Sequence, residues 1–95
     1  MKEFFQTLFN DTESQGTSRI AEFTATLYDR WKNDVEGLTM LVMAINHQSW
    51  EHYSRGNSDW CDFYAELYYK YYEKAINYLE KTNSDGLTYF IRTLD

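Results

Sequence analysis

Three residues near the middle of the chain have side chains that bind metals or transfer protons. His47 and Glu51 stand four positions apart, and His52 follows directly. On a helix that turns about 100° per residue, the two histidines point about 140° away from each other. The HExxH spacing, in contrast, directs two histidines at one ion. No third histidine exists, so the sequence predicts no metal and no other cofactor, and a histidine that hydrogen-bonds where two helices meet.

The single cysteine is the second candidate for chemistry. Cys61 lies near the start of a predicted helix, where the helix dipole stabilises a negatively charged thiolate. Asp59 and Asp62 oppose this effect because they place negative charge beside the sulfur. A catalytic pair would also need His47 or His52 to fold back across the intervening loop. We predict a small apolar side chain in the core, and a Cys/His enzyme stays open as an alternative.

A ladder of carboxylates on the same predicted helix is the third candidate. Asp59, Asp62 and Glu66 lie on or beside its most polar sector, whereas general acid–base catalysis requires a desolvated carboxyl group. The chain also has no Walker-type, dinucleotide-binding, GxSxG, CxxC or EF-hand motif. The sequence therefore predicts a protein that is not an enzyme and has no small-molecule substrate.

The length and composition predict one globular domain over residues 1–95. The chain has 3 Trp, 9 Tyr and 6 Phe, no proline, and 25% charged residues. These aromatic residues are enough to build a core, and chains of this size rarely divide into two domains.

The charge restricts the possible partners and the compartment. Nine basic and fifteen acidic residues give a net charge of −6, so nucleic-acid phosphates and anionic membranes should repel the chain. We expect no direct binding of nucleic acid or membranes, although an acidic mimic of nucleic acid remains an alternative because it would block a basic channel on another protein. A lone cysteine and the lack of an apolar leader segment indicate a cytoplasmic protein.

The spacing of apolar residues predicts an all-α fold. No segment shows the alternation typical of a strand, and the apolar positions recur with the helical period. We predict a bundle of three main helices with short N- and C-terminal helices. The main helices are expected over residues 18–33, 37–53 and 59–81, the short ones around Phe4 to Phe9 and Leu87 to Leu94, and a polar loop over residues 10–16.

Two of the predicted helices carry more apolar surface than a small bundle can cover. The third helix has a second apolar face, and the fourth has an apolar flank beside its main arc. Uncovered apolar patches mark interaction sites, so we predict that one of these surfaces contacts a protein partner or a second copy in a homodimer. The short terminal helices are the alternative cover. The candidate interface residues are Met40, Met43, His47, Trp50, Tyr69, Tyr72 and Ile76.

Three segments also carry a family resemblance. The stretches LTMLVMAINHQSWEHYSRGNSD, YAELYYKYYEKAINYLE and YFIRTLD resemble small uncharacterised all-α proteins carried by conjugative elements and prophages of Gram-positive bacteria. The resemblance covers residues 37–95 and transfers no catalytic residue. It implies a protein of a mobile element or phage that binds and blocks a host machine, such as a restriction or CRISPR nuclease, or that assists transfer. Our leading prediction is a non-enzymatic protein-binding protein of this kind.

Overall fold

The protein consists of five α-helices and one short 3₁₀ helix, with no strand. A computed structural model describes all residues 1–95. The all-α prediction is therefore confirmed. The helices are α1 (Lys2–Thr12), α2 (Thr17–Trp31), α3 (Val35–Ser54), α4 (Ser58–Thr82) and α5 (Ser84–Leu94), and the 3₁₀ helix (Glu13–Gln15) lies between α1 and α2.

Short polar side chains cap the N-termini of two of these helices. The Asp34 side chain accepts a hydrogen bond from the Gly37 amide at 3.1 Å, which caps α3. Asn83 caps α5 in the same way, because its side-chain oxygen accepts from the Gly86 amide at 2.9 Å. Each cap satisfies an amide that has no partner within its own helix.

The connection between α1 and α2 differs from the prediction. Residues 10–15 are helical rather than an open loop, and the chain reverses only at Gly16, with φ at 94°. Gly16 takes the N-cap position of α2, and no side chain bonds to the first amides of that helix. Buried contacts of this segment with α3, described below, favour helical turns over the local preference for a loop.

Helix α3 lies at the centre of the fold and packs against each of the other four α-helices. Leu38, Leu41, Val42 and Ile45 on this helix are completely buried. A helix enclosed on several sides needs apolar residues around most of its circumference, and this explains the two apolar faces in the sequence of α3.

Helix α4 is the longest element and runs the full length of the molecule. Its 25 residues extend over about 37 Å at about 1.5 Å per residue, and the longest dimension of the molecule is 37 Å. Leu67, Tyr71, Ala75 and Leu79 hold it to the core. None of the helices combines the length and apolar character that a membrane crossing requires.

Candidate functional site

A groove opens between the second half of α3 and the first half of α4. It encloses about 380 Å³, and most of its lining is hydrophobic. The antiparallel pairing of the two helices places residues of one stripe on α3 opposite a stripe on α4. We call this surface the α3–α4 groove, and its lining residues are Asn46, Ser49, Trp50, Tyr53, Cys61, Ala65, Tyr68 and Tyr69.

Three large aromatic side chains of the groove are mostly exposed to solvent. The exposed fraction is 62% for Trp50, 65% for Tyr53 and 70% for Tyr69. Trp50 and Tyr53 contact each other edge to face, with ring centroids 5.7 Å apart. Tyr69 contacts Tyr68 in a similar way at 5.5 Å. Exposed aromatic residues gathered around one concavity form the kind of apolar patch that marks an interaction site.

The predicted second face of α3 is partly buried over most of its length and mostly exposed only at Trp50. Met40 is partly buried and packs on the core, and Met43 and His47 are also partly buried. His47 lines a shallow hollow beside Trp50. Only Trp50 among these four residues is mostly exposed, and it alone lines the groove.

The predicted flank of α4 divides into a covered and an open part. Tyr72 contacts Phe90 of α5, with ring centroids 5.5 Å apart, and Ile76 packs on the core. Tyr69 stays open. The structure therefore brings Trp50 and Tyr69 together in one groove, whereas Tyr72 lies against α5 and Ile76 against the core.

Two aromatic residues of the groove were not among the candidates from the sequence. Tyr53 shares a helical stripe with Leu38 and Ile45, and this stripe is typical of a core position. At the last turn of α3, however, no other helix covers Tyr53. Tyr68 likewise fits a core pattern but is only partly buried. The short SRGNS segment, which ends α3, was the available signal that Tyr53 lies at an open end.

The polar groups of the groove are few and differ in their hydrogen bonding. Ser49 is nearly buried, and its hydroxyl donates to the Cys61 carbonyl oxygen at 2.8 Å. The Ser49 oxygen also lies 3.5 Å from the Cys61 sulfur. The Asn46 side-chain amide lines the groove and has no hydrogen-bond partner within the chain. It can therefore donate to, and accept from, a bound group, as the few polar groups of an apolar site commonly do.

His52, one of the two histidines considered from the sequence, belongs to a buried polar network. One carboxylate oxygen of Glu13 accepts hydrogen bonds from Gln48 at 3.0 Å, from His52 Nε2 at 2.9 Å and from the Tyr64 hydroxyl at 2.6 Å. On the other side of the ring, His52 Nδ1 lies 3.2 Å from the Asn57 amide nitrogen. A ring protonated on Nε2 satisfies both contacts, and no buried side-chain polar atom of the chain lacks a partner.

Aromatic rings hold this histidine in place. His52, Trp60 and Tyr64 lie nearly parallel in pairs, with centroids 5.6 Å or 5.7 Å apart. The network joins the 3₁₀ helix to α3 and α4. Glu13 was not a candidate from the sequence because its segment resembles a loop, and a single polar residue there gives no signal of long-range contacts.

The residues considered for catalysis or metal binding do not converge. Both ring nitrogens of His52 already have partners, and no hydrogen bond joins Cys61 to either histidine. No group of three or more histidine, cysteine, aspartate and glutamate side chains is arranged to hold a metal ion. Asp59, Asp62 and Glu66 are exposed. The groove offers contact area and hydrogen bonds.

The buried phenol of the network makes the fold sensitive to alkali. Burial raises the pKa of Tyr64 above its ordinary value of 10.0, and the hydrogen bond to Glu13 and the charge of that carboxylate raise it further. Above about pH 10 the unfolded chain loses this proton while the folded chain keeps it. Because the unfolded state then binds fewer protons, the free energy of unfolding falls as the pH rises.

We expect Tyr64→Phe to reduce this alkaline loss of stability. At neutral pH the same variant should be less stable by about 2 kcal/mol, since it loses one hydrogen bond to a charged carboxylate. Urea unfolding across the alkaline range measures both effects, and Tyr89→Phe on exposed Tyr89 is the control. An equal alkaline loss in Tyr64→Phe and in the unmodified protein would contradict this role for Tyr64.

Comparisons with known proteins add no assignment. No protein-family model matches the chain, and neither a curated protein nor a solved structure matches it.

Proposed function

We propose that the protein is a non-enzymatic protein-binding protein that uses the α3–α4 groove to occupy a surface on a partner. The observation that carries this proposal is the exposure of Trp50, Tyr53 and Tyr69 around a single groove. Tryptophan and tyrosine provide large contact areas at low cost in conformational entropy, and they dominate the energetics of many protein interfaces.

The helices that form the groove can bind a partner without a large change in their own positions. The walls of the groove are α3 and α4, and α3 is held by a fully buried stripe of apolar residues. In this proposal α2, α3 and α4 form the main bundle, and the short terminal helices close it. Anchors on rigid helices lose little freedom on binding, which favours affinity.

A different protein fits this groove better than a second copy of the chain. Two copies related by a twofold axis would bring the same surface patch together. Each copy would then add the exposed carboxylates of α4, including Asp62 and Glu66, to an interface that already holds those of the other copy. Like charges facing each other across an interface oppose association.

The setting that we propose is the cytoplasm of a bacterium that carries a mobile element or phage. The small size, the net charge of −6 and the resemblance of residues 37–95 to proteins of such elements support it. The partner class that we propose is a host defence enzyme, so the protein would act as an inhibitor of the anti-restriction or anti-CRISPR type.

The groove can be tested before its natural partner is known. A random peptide library displayed on phage is selected against the unmodified protein, and the recovered peptides are then measured on a groove variant, Trp50→Ala with Tyr69→Ser. We expect at least a tenfold loss of affinity, about 1.4 kcal/mol, on the groove variant. Its free energy of unfolding should stay within about 1 kcal/mol of the original, because both side chains are mostly exposed.

The matched control is Tyr89→Ser, which removes a partly exposed tyrosine of α5. We expect the selected peptides to bind this control as they bind the unmodified protein. Equal binding to the groove variant would show that the peptides bind elsewhere and would contradict the proposal.

A further inference from the structure

Helix α4 carries carboxylates on the same stripe as Tyr69 of the groove, and they form no ion pair within the chain. Asp62, Glu66, Tyr69 and Glu73 follow one another along a single stripe of α4, because residues three or four apart share a face of a helix. All four are exposed. None of the three carboxylates takes part in the ion pairs of the chain. The exposed ring of Tyr69 therefore stands between unpaired negative charges.

Two basic residues, Arg55 at the C-terminal end of α3 and Lys70 on α4, have other partners. Arg55 pairs with Glu51 at 3.0 Å. Lys70 lies over the ring of Tyr71, with its nitrogen 5.6 Å from the ring centroid. The negative charge along the groove thus remains available to a partner.

One carboxylate, that of Asp62, lies beside the aromatic residues of the groove. A smaller hollow of about 280 Å³ adjoins the groove, shares Tyr53 and Cys61 with it, and is lined by Asp62 as well. A cationic group that enters from this side would contact an aromatic ring and a carboxylate together. The attraction of cations to aromatic faces is strongest for tryptophan and tyrosine, and arginine is the cation found most often in such contacts.

We infer that the α3–α4 groove receives an arginine side chain from a partner protein. This inference rests on the proposed function and specifies its occupant. A guanidinium group is planar, so it can stack on Trp50, Tyr53 or Tyr69 while its N–H groups donate to the carboxylate of Asp62 or Glu66. The unpaired amide of Asn46 adds an acceptor for a remaining donor. The compact ammonium of lysine offers neither the planar face nor the paired donors.

The test uses two displayed peptide libraries that differ in one residue type. One contains all amino acids, and the other omits arginine and retains lysine. Both libraries are selected against the unmodified protein. A selected peptide counts as groove-dependent if it loses affinity on the groove variant. We expect the complete library to yield groove-dependent peptides that contain arginine. The best groove-dependent peptides of the arginine-free library should bind at least tenfold more weakly.

A second variant tests the carboxylates directly. Asp62→Asn with Glu66→Gln changes the charge and preserves the shape of both side chains, and we expect it to weaken the arginine peptides at least tenfold. Replacing the arginine of the best peptide with citrulline, a neutral residue of the same shape, should have a similar effect.

The possible failures are distinguishable. If the two libraries yield groove-dependent peptides of equal affinity, or if citrulline binds as arginine does, the groove is a binding site but the arginine inference is wrong. If neither library yields a peptide that depends on the groove, the proposed function itself fails.

Discussion

Replacing Ile45 with alanine is expected to lower the free energy of unfolding by about 2 to 5 kcal/mol. Ile45 is completely buried on α3, the helix that contacts all the others. Removing its outer carbons leaves a cavity. The surrounding helices cannot all move inward to fill it, so the lost contacts are not recovered. Chemical denaturation followed by circular dichroism measures the change.

The control lies on the same helix and removes even more atoms. Tyr53→Ala shortens a side chain that is 65% exposed, and we expect it to cost less than about 1 kcal/mol. Similar losses for Ile45→Ala and Tyr53→Ala would mean that α3 is not the centre of the core. They would also remove the reason for treating Tyr53 as available to a partner.

Replacing Glu13 with alanine is expected to cost about 3 kcal/mol at neutral pH. The substitution removes the acceptor shared by Gln48, His52 and Tyr64. A buried donor without a partner costs about 1 to 3 kcal/mol, and water that enters the space left by the side chain will recover part of the total. Urea unfolding gives the value directly.

Two further variants separate the possible causes of this loss. Glu13→Gln keeps one side-chain oxygen as an acceptor, so it should lose less stability than Glu13→Ala. Glu66→Ala removes an exposed glutamate and should change the stability by no more than about 0.5 kcal/mol. A loss in Glu13→Ala as small as that in Glu66→Ala would contradict a stabilising role for the network.

Apart from residues 10–15, the sequence is sufficient to predict the helices and most of the core, because both depend on local periodicity. The stripe of Leu41 and Ile45 marks the buried side of α3, and the polar sector of α4 marks its solvent side. Periodicity also identifies surplus apolar surface on these two helices. It does not indicate which part of that surface another helix covers.

Tyr69 and Tyr72 illustrate the limit. They lie three residues apart and have the same side chain, yet Tyr72 contacts Phe90 while Tyr69 is 70% exposed. The difference depends on where α5 packs after the turn at Asn83, and this position follows from tertiary contacts rather than from the spacing of apolar residues. The same reason explains why Tyr53 resembles a core residue in the sequence.

Glu13 illustrates a second limit. Its partners Gln48, His52 and Tyr64 are 35, 39 and 51 residues away in the chain. A polar residue in a segment typical of a loop carries no local sign that it will accept three hydrogen bonds in the interior. Buried polar networks are therefore found from the fold, although their donors, such as His52, stand out in the sequence as unusual residues.

The groove and the network have separate roles in this account. Gln48 and His52 face the 3₁₀ helix and stabilise the fold, whereas Asn46, Trp50 and Tyr53 face the groove. Variants of the groove should therefore change binding with little effect on stability, and variants of the network should do the reverse. Because binding and stability depend on different residues, the protein can expose aromatic side chains to a partner without weakening its core.

The claim that the α3–α4 groove binds a partner is tested most directly by nuclear magnetic resonance, which maps a bound peptide on the isotope-labelled protein. The best peptide from the complete library is titrated into the protein, and the backbone amide shifts are followed residue by residue. We expect the largest shifts in residues 46–53 of α3 and 61–69 of α4, and no shift in α2. Largest shifts on α1 or α2, with the residues of the groove unchanged, would contradict the claim.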